Sequence, residues 1–298
     1  MAHWSLRHHP FPVDPGLDLA FSTGTDRDPA RRLLARIHAD PRPALVVGDA
    51  GMGKTYLARW VAAVLRRRDR VIRLSARSMD ADGLLATVCR DLGLDPTRSI
   101  AMPARVLAAR LLALGLGGRR VILIVDDAEN LEEQDALDLF HLDSLVTNRG
   151  RLIRMVLLGR PEMRARLALC PSLMARMGAM VGLEPLRRED CLAYFDQRVE
   201  QARTSDRALF TPAAKDVLVR ESQGVPGTLD ALAARAMDLA LADGAVQVDR
   251  EHARVALRIL GGAGAPAPAP SRMFSKRGPI QQDALAGSLT PCTAFLSS

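Results

Sequence analysis

The sequence contains few of the residues that build disulfide-bonded, zinc-bound or membrane-spanning proteins. Its four cysteines are scattered and form no C-x-x-C pair, which argues against a disulfide framework and against a zinc site. No apolar run is long enough to cross a bilayer, and no charged and then apolar leader opens the chain. These absences predict a cytoplasmic protein without a transmembrane segment.

Aromatic residues make up only 4% of the chain, while alanine, leucine and arginine dominate, so the composition favours a helix-rich protein. With 298 residues, the chain is long enough for one large domain or two smaller ones. The formal net charge of +7 makes an acidic partner such as DNA a candidate. The alternative is that an arginine-rich composition raises the charge without forming a specific patch, and the sequence leaves both open.

One stretch, GDAGMGKT at residues 48–55, has the spacing G-x-x-x-x-G-K-[ST] of a phosphate-binding loop. It lies between an apolar run at 44–47 and a helical pattern at 56–65, which is the strand, turn and helix context that this motif requires. Its glycines let backbone N–H groups converge on an anion, and the following helix adds its positive end. We therefore predict an ATP site formed by Gly48, Asp49, Ala50, Gly51, Met52, Gly53, Lys54, Thr55 and Tyr56.

Magnesium and an attacking water require further polar groups near this loop. Lys54 is expected to reach the β- and γ-phosphates, and the Thr55 hydroxyl is expected to bind Mg²⁺. The apolar run at 121–125 is typical of a strand buried on both faces, and it runs straight into Asp126 and Asp127. Because ligands bind outside the carboxyl ends of parallel strands, we expect Asp126 to serve Mg²⁺ and Asp127 to polarise the attacking water. The alternative for this pair is a solvated turn.

Two arginines are further candidates for the chemistry of the site. Arg160 follows a second buried-strand pattern at 152–158, so it is a candidate sensor of the γ-phosphate. Arg176 is a candidate finger that reaches the nucleotide of a neighbouring subunit. For both residues the alternative is an ordinary solvated arginine on the protein surface.

The order of the patterns predicts four parts of the chain. Strands alternate with helices over residues 26–182, which predicts a parallel α/β sheet with right-handed crossovers. Residues 183–260 contain helical patterns alone, and we expect a small helical domain there. The lead-in at 1–25 is expected to be extended, with Phe11 as its candidate anchor. The tail at 261–298 is expected to be disordered because it begins with the linker-like GGAGAPAPAP.

Several of these motifs together resemble a known family. They are HPF at 9–11, GDAGMGKT, VILIVDDAEN, MVLLGRPEMRARL, LEPLRRED and the GVPG turn at 224–227. They occur in the order found in ExeA-like AAA+ ATPases, which include general secretion pathway protein A and the transposition regulators of the TnsC and TniB type. The resemblance covers roughly residues 8–260. It implies a P-loop AAA+ core with a C-terminal helical lid, ATP and Mg²⁺ as ligands, and a nucleotide-dependent homo-oligomer.

The resemblance also assigns individual positions. Asp126 matches the Walker B aspartate, and Arg176 keeps the place of the family's arginine near the end of the core. Asp127 stands where the family usually has glutamate, Arg160 where its GQPE motif has glutamine, and Gly227 where its GxPR motif has the sensor-2 arginine. The residues that match the Walker A motif are Gly48, Gly53, Lys54 and Thr55.

These departures point to slow hydrolysis, and they are similar to the pattern of NB-ARC-type signal-transduction ATPases. The leading hypothesis is an ATP-binding AAA+ ATPase whose slow hydrolysis controls assembly with an unidentified protein partner. One alternative is an ATP-stabilised scaffold that does not hydrolyse. Another is a DNA-associated regulator that contacts phosphates through Arg66, Arg67, Arg68, Arg70 and Arg73. If the missing sensor-2 charge limits the rate, Gly227→Arg is expected to raise hydrolysis.

Overall fold

The computed structural model describes residues 4, 6–12, 28–79, 82–95, 104–148, 150–178, 180–205 and 207–262. Most of the predicted lead-in, and the predicted tail from residue 263 onward, lie outside these described residues. The strands are β1 (Ala44–Val47), β2 (Arg70–Ser75), β3 (Val121–Asp126), β4 (Val146–Thr147), β5 (Gly150–Arg151), β6 (Ile153–Gly159) and β7 (Met180–Gly182).

Helices alternate with these strands and then continue alone. The helices among the strands are α1 (Pro29–Ala39), α2 (Lys54–Leu65), α3 (Gly83–Asp91), α4 (Ala104–Leu116), α5 (Glu133–Asp143), α6 (Met163–Leu167) and α7 (Pro171–Met174). The helices after β7 are α8 (Arg188–Ala202), α9 (Pro212–Glu221), α10 (Pro226–Ala242) and α11 (Arg250–Gly262). No helix of the described residues combines the length and the apolar character needed to cross a membrane.

Five of the strands form one parallel sheet in the order β2-β3-β6-β1-β7, while β4 and β5 form a short antiparallel pair. All six residues of β3 are buried because the sheet is covered on both faces. Val121, Leu123 and Val125 point into one apolar cluster with α3, α4 and α5. Ile122 and Ile124 point into a second cluster with α1 and α2. This arrangement confirms the predicted parallel α/β fold with helices on both faces.

A third apolar cluster is formed by the four helices from α8 through α11 together with the segment at residues 6–12. Phe11 is buried, and its ring centroid lies 5.2 Å from that of Phe195 and 6.0 Å from that of Phe210. Phe11 therefore anchors the described part of the lead-in, as the sequence predicted. The backbone N–H of Arg7 also donates to the carbonyl of Ala202 at 2.8 Å. The segment is held to the helices by both packing and backbone pairing.

A buried polar network links α8 to α10. The Tyr194 hydroxyl donates to Asp230 Oδ2 at 2.8 Å, and Arg198 Nη2 donates to the same oxygen at 3.1 Å. Burial raises the pKa of the Tyr194 hydroxyl, so this phenol stays a hydrogen-bond donor. Arg198 is only 3% exposed, so its charge depends on Asp230 for compensation. The network is one reason why these two helices keep a single relative position.

Candidate nucleotide site

The loop between β1 and α2 has the backbone shape that an anion cradle requires. Gly51 and Gly53 have φ angles of 77° and 80°, which glycine adopts without the steric cost of a Cβ atom. The backbone N–H of Gly48 donates to the carbonyl of Gly159 at 3.2 Å, so the loop is tied to the end of β6. The loop therefore opens at the carboxyl end of the sheet, at the amino end of α2.

The nine residues predicted to bind the nucleotide are contiguous and take two environments. Met52 and Lys54 are buried and Tyr56 is half-buried. Gly48 is also buried, because Leu183 packs closely against it. A Cβ atom added at Gly48 would lie 2.9 Å from Leu183 Cβ. The exposed members, which are free to face a ligand, are Asp49, Ala50, Gly51, Gly53 and Thr55.

Lys54 lies at the first position of α2 and points back beneath the loop. Its Nζ donates to the carbonyl oxygens of Gly48 and Asp49, both at 2.7 Å. Burial lowers the pKa of the Lys54 ammonium, and the nearby carboxylate of Glu129 is the strongest influence that opposes this shift. The ammonium group is therefore placed by the loop itself, next to the strand ends.

Asp126 is the last residue of β3 and is 1% exposed. Burial raises the pKa of its carboxyl group, while a hydrogen bond from the Thr55 side chain lowers it. The structure thus brings the two predicted magnesium ligands, Thr55 and Asp126, into direct contact. A hydroxyl and a carboxylate are hard oxygen donors, so the pair fits the ligand preference of Mg²⁺.

Asp127 lies beside Asp126, but its side chain is held by another strand. Its φ of 52° is in the left-handed region, which turns the chain sharply at the end of β3. The Ser75 hydroxyl donates to Asp127 Oδ2 at 2.8 Å. Ser75 ends β2 and is paired in register with Asp126. The sequence analysis missed Ser75, although a polar residue at the end of a strand is the signal that would have identified it.

Arg160 lies at the same edge of the sheet and is paired with Glu129. Its backbone N–H donates to Glu129 Oε2 at 3.1 Å, and its Nε lies 3.5 Å from Glu129 Oε1. Glu129 belongs to the short 3₁₀ turn at Ala128–Asn130 that follows Asp127. Glu129 was not among the site residues predicted from the sequence, although it lies in the VILIVDDAEN motif.

Arg176 is held away from these residues by the end of α5. Its Nη1 donates to Ser144 Oγ at 2.8 Å and lies 3.4 Å from Asp143 Oδ2. Its guanidinium carbon also lies 4.5 Å from the centre of the Phe140 ring. The structure therefore brings Thr55, Asp126, Asp127 and Arg160 to one edge of the sheet, and it places Arg176 against α5.

Gly227, in the first turn of α10, touches the phosphate loop directly. Its backbone N–H donates to the carbonyl of Gly51 at 2.9 Å. A Cβ atom at this position would lie 2.8 Å from Gly51 Cα, closer than real Cβ atoms approach other atoms. A side chain at residue 227 therefore pushes against the loop before it can reach a phosphate. Because of this contact, we no longer expect Gly227→Arg to raise hydrolysis by restoring a sensor charge.

The order of the parallel sheet, the phosphate loop and the helices that follow define a P-loop nucleotide-binding protein of the AAA+ class. Residues 37–167 match the family model of an AAA domain, AAA_22. The chain is 26% identical over 249 residues to General secretion pathway protein A of Aeromonas hydrophila, and this match covers 82% of the chain. The chain therefore contains an AAA domain and is similar to General secretion pathway protein A, which agrees with the resemblance of its motifs to ExeA-like AAA+ ATPases. It spans 45% of the length of that relative.

Solved structures share the fold at low sequence identity. Cdc6p from Pyrobaculum aerophilum has a TM-score of 0.68 at 14% identity, covering 85% of this chain and 71% of its own. The ORC1 protein of Aeropyrum pernix, solved in complex with DNA, has a TM-score of 0.66 at 17% identity, covering 86% and 70%. The RuvB branch migration motor of Thermotoga maritima has a TM-score of 0.52 at 15% identity, covering 82% and 74%.

Proposed function

We propose that this protein binds Mg²⁺-ATP, hydrolyses it slowly, and uses the change of nucleotide to control its assembly with a protein partner. One observation carries the proposal. The groups expected to hold phosphate and metal lie together at the loop, whereas the groups expected to drive hydrolysis are engaged by other side chains. The resemblance to AAA+ ATPases implies a nucleotide-dependent homo-oligomer, so we extend the proposal to an oligomer in which Arg176 leaves α5 to meet a neighbouring copy.

The binding half of the proposal rests on Lys54, Thr55 and Asp126. The buried ammonium lies under a loop whose backbone favours an anion, and the hydroxyl and carboxylate beside it suit a magnesium ion. When bound, Mg²⁺ would neutralise charge on the β- and γ-phosphates. The chain itself would contribute the cradle, the ammonium group and the two oxygen donors.

The proposal that hydrolysis is slow rests on Asp127. An aspartate is shorter than glutamate by one methylene, or about 1.5 Å. A misplacement of about 1 Å in a catalytic group can reduce a rate about 100-fold. The hydrogen bond from Ser75 restrains the carboxylate further, because it must break or turn before Asp127 can reach a water at the phosphate. Hydrolysis would therefore be slow even with the nucleotide well bound.

Asp127→Asn is expected to lower the single-turnover rate of ATP hydrolysis by about 100-fold while leaving the ATP dissociation constant nearly unchanged. The amide keeps the shape and the hydrogen bond to Ser75 but cannot accept a proton from water. Rates are measured with excess protein over radiolabelled ATP, and affinity with a fluorescent ATP analogue. Asp216→Asn, which removes an exposed carboxylate paired with Arg188, is the matched control. An unchanged rate in Asp127→Asn would favour the non-hydrolysing scaffold.

DNA is the second candidate partner, and the surface around the end of α2 favours it. Arg66, Arg67 and Arg68 are exposed there, and Arg67 and Arg68 help to line an open depression of about 410 Å³. Of the five arginines that the sequence suggested, Arg70 already forms an ion pair with Asp91, and Arg73 lines a different depression together with Ser75. The proposal therefore rests on the three consecutive arginines, which can meet successive phosphates.

Arg66, Arg67 and Arg68 all changed to Ala should weaken binding to duplex DNA and reduce its dependence on salt. Each phosphate contact contributes about −0.9 to the slope of log affinity against log salt concentration. The magnitude of the slope should therefore decrease by about 3. Filter binding with ATP across a salt series measures this. The control is a second triple-alanine variant with the same change in net charge. It replaces three arginines that have acidic partners: Arg188, Arg220 and Arg258. Absent or salt-insensitive binding by the wild type would end the DNA proposal.

A further inference from the structure

Glu129 is a carboxylate at the phosphate site for which the sequence analysis proposed no role. Its side chain is 12% exposed, so little water screens its charge. It lies over Gly159, where an added Cβ would come within 2.9 Å of Glu129 Oε2. Glycine at the end of β6 is therefore what allows the carboxylate to approach this edge of the sheet.

Two cations of the site share this one carboxylate. The backbone N–H of Arg160 donates to Glu129 Oε2 at 3.1 Å, and Arg160 Nε lies 3.5 Å from Glu129 Oε1. Burial lowers the pKa of the Lys54 ammonium, and the charge of Glu129 opposes this shift more than those of Asp126 and Asp127 do. The negative charge of Glu129 thus lies among the cations that are expected to receive the terminal phosphate.

We infer that the Glu129 carboxylate is the counter-ion of Arg160 and thereby lowers the affinity of the site for ATP relative to ADP. The inference rests on the proposed function, since it concerns the same nucleotide. Arg160 meets a γ-phosphate only after it separates from Glu129, and this separation costs binding free energy. ADP has no γ-phosphate, so its binding avoids this cost. Glu129 is therefore a positioning residue that acts through Arg160.

Glu129→Gln separates charge from shape. The amide oxygen still accepts the backbone N–H of Arg160, so the turn keeps its hydrogen bond, while the negative charge is lost. We expect the ratio of ATP to ADP affinity to rise by about fivefold, the upper end of what one partly exposed ion pair contributes. A purely structural role would shift both affinities together and leave their ratio unchanged.

The experiment is competition of unlabelled ATP and ADP, with Mg²⁺, against a fluorescent ADP analogue on the full chain. Glu162→Gln is the matched control, because it removes an exposed carboxylate two residues after Arg160. Arg160→Ala, alone and combined with Glu129→Gln, completes the cycle, and Glu129→Gln should give no gain in ATP preference when Arg160 is already Ala.

An unchanged ratio in Glu129→Gln, with both nucleotides still bound, overturns the inference and leaves the proposed function standing. A gain that persists without Arg160, or that appears equally in Glu162→Gln, overturns it too, because the effect then needs no specific pair. A wild type that binds neither nucleotide overturns the proposed function itself, and the inference falls with it.

Discussion

Lys54→Ala is expected to lower ATP affinity by about 100-fold or more. A hydrogen bond to a charged group contributes about 1.5–3 kcal/mol, and Lys54 is expected to bond two phosphates. The substitution also leaves the carbonyls of Gly48 and Asp49 without the donor that they have at 2.7 Å. The free energy of unfolding should therefore fall by about 1–3 kcal/mol even without nucleotide. Titration with a fluorescent ATP analogue and urea denaturation measure the two effects.

Lys215→Ala is the control for this experiment. Lys215 is the other lysine among the described residues, and its Nζ donates to Asp196 at 2.6 Å on the surface of α8. We expect it to change neither ATP affinity nor stability by a measurable amount, since exposed ion pairs contribute about 0–1 kcal/mol. If Lys54→Ala bound ATP as tightly as the wild type, the phosphate cradle would not be the nucleotide site.

Gly227→Arg is expected to weaken ATP binding by about tenfold or more and to lower, not raise, hydrolysis at subsaturating ATP. The new Cβ atom would lie 2.8 Å from Gly51 Cα and 3.0 Å from Gly51 O. Neither atom belongs to a flexible side chain, so the phosphate loop or the start of α10 must move. The movement also lengthens the hydrogen bond from the Gly227 N–H to the Gly51 carbonyl, which is 2.9 Å in the structure. Affinity and initial rates over an ATP series measure the outcome.

Gly115→Arg provides the matched control for that variant. Gly115 also lies in a helix, α4, and apart from its own chain neighbours and helix backbone no described atom lies within 4 Å of the position of its added Cβ. The same residue change there adds the same charge without displacing backbone. If Gly227→Arg accelerated hydrolysis while Gly115→Arg did not, the arginine would have reached the phosphates, and the steric account would be wrong.

The phosphate loop could be predicted because it is local. Its strand, glycines and helix are consecutive in the chain, and the backbone angles of Gly51 and Gly53 follow from residue type. The alternation of β3 side chains between the two faces of the sheet was equally readable, because a strand has a period of two. Phe11 was also predicted as the candidate anchor of the lead-in, and its ring is buried.

The engagement of the catalytic candidates could not be predicted, because each contact joins distant parts of the chain. Ser75 and Asp127 are 52 residues apart, and Glu129 and Arg160 are 31 apart. Which rotamer a carboxylate adopts at a strand end depends on the donors that the neighbouring strands present. Spacing within one segment contains no information on those donors.

The sequence by itself determined that this chain makes an anion cradle on a parallel sheet, because period, turn chemistry and helix start are set by neighbouring residues. The tertiary structure alone decided what surrounds the cradle. In the folded chain Asp127 accepts a hydrogen bond from Ser75, Glu129 accepts one from the backbone of Arg160, and the Gly51 carbonyl accepts one from Gly227. Those pairings depend on strand order and on the packing of α10 against the loop. On these pairings rests our proposal that the site binds ATP well and hydrolyses it slowly.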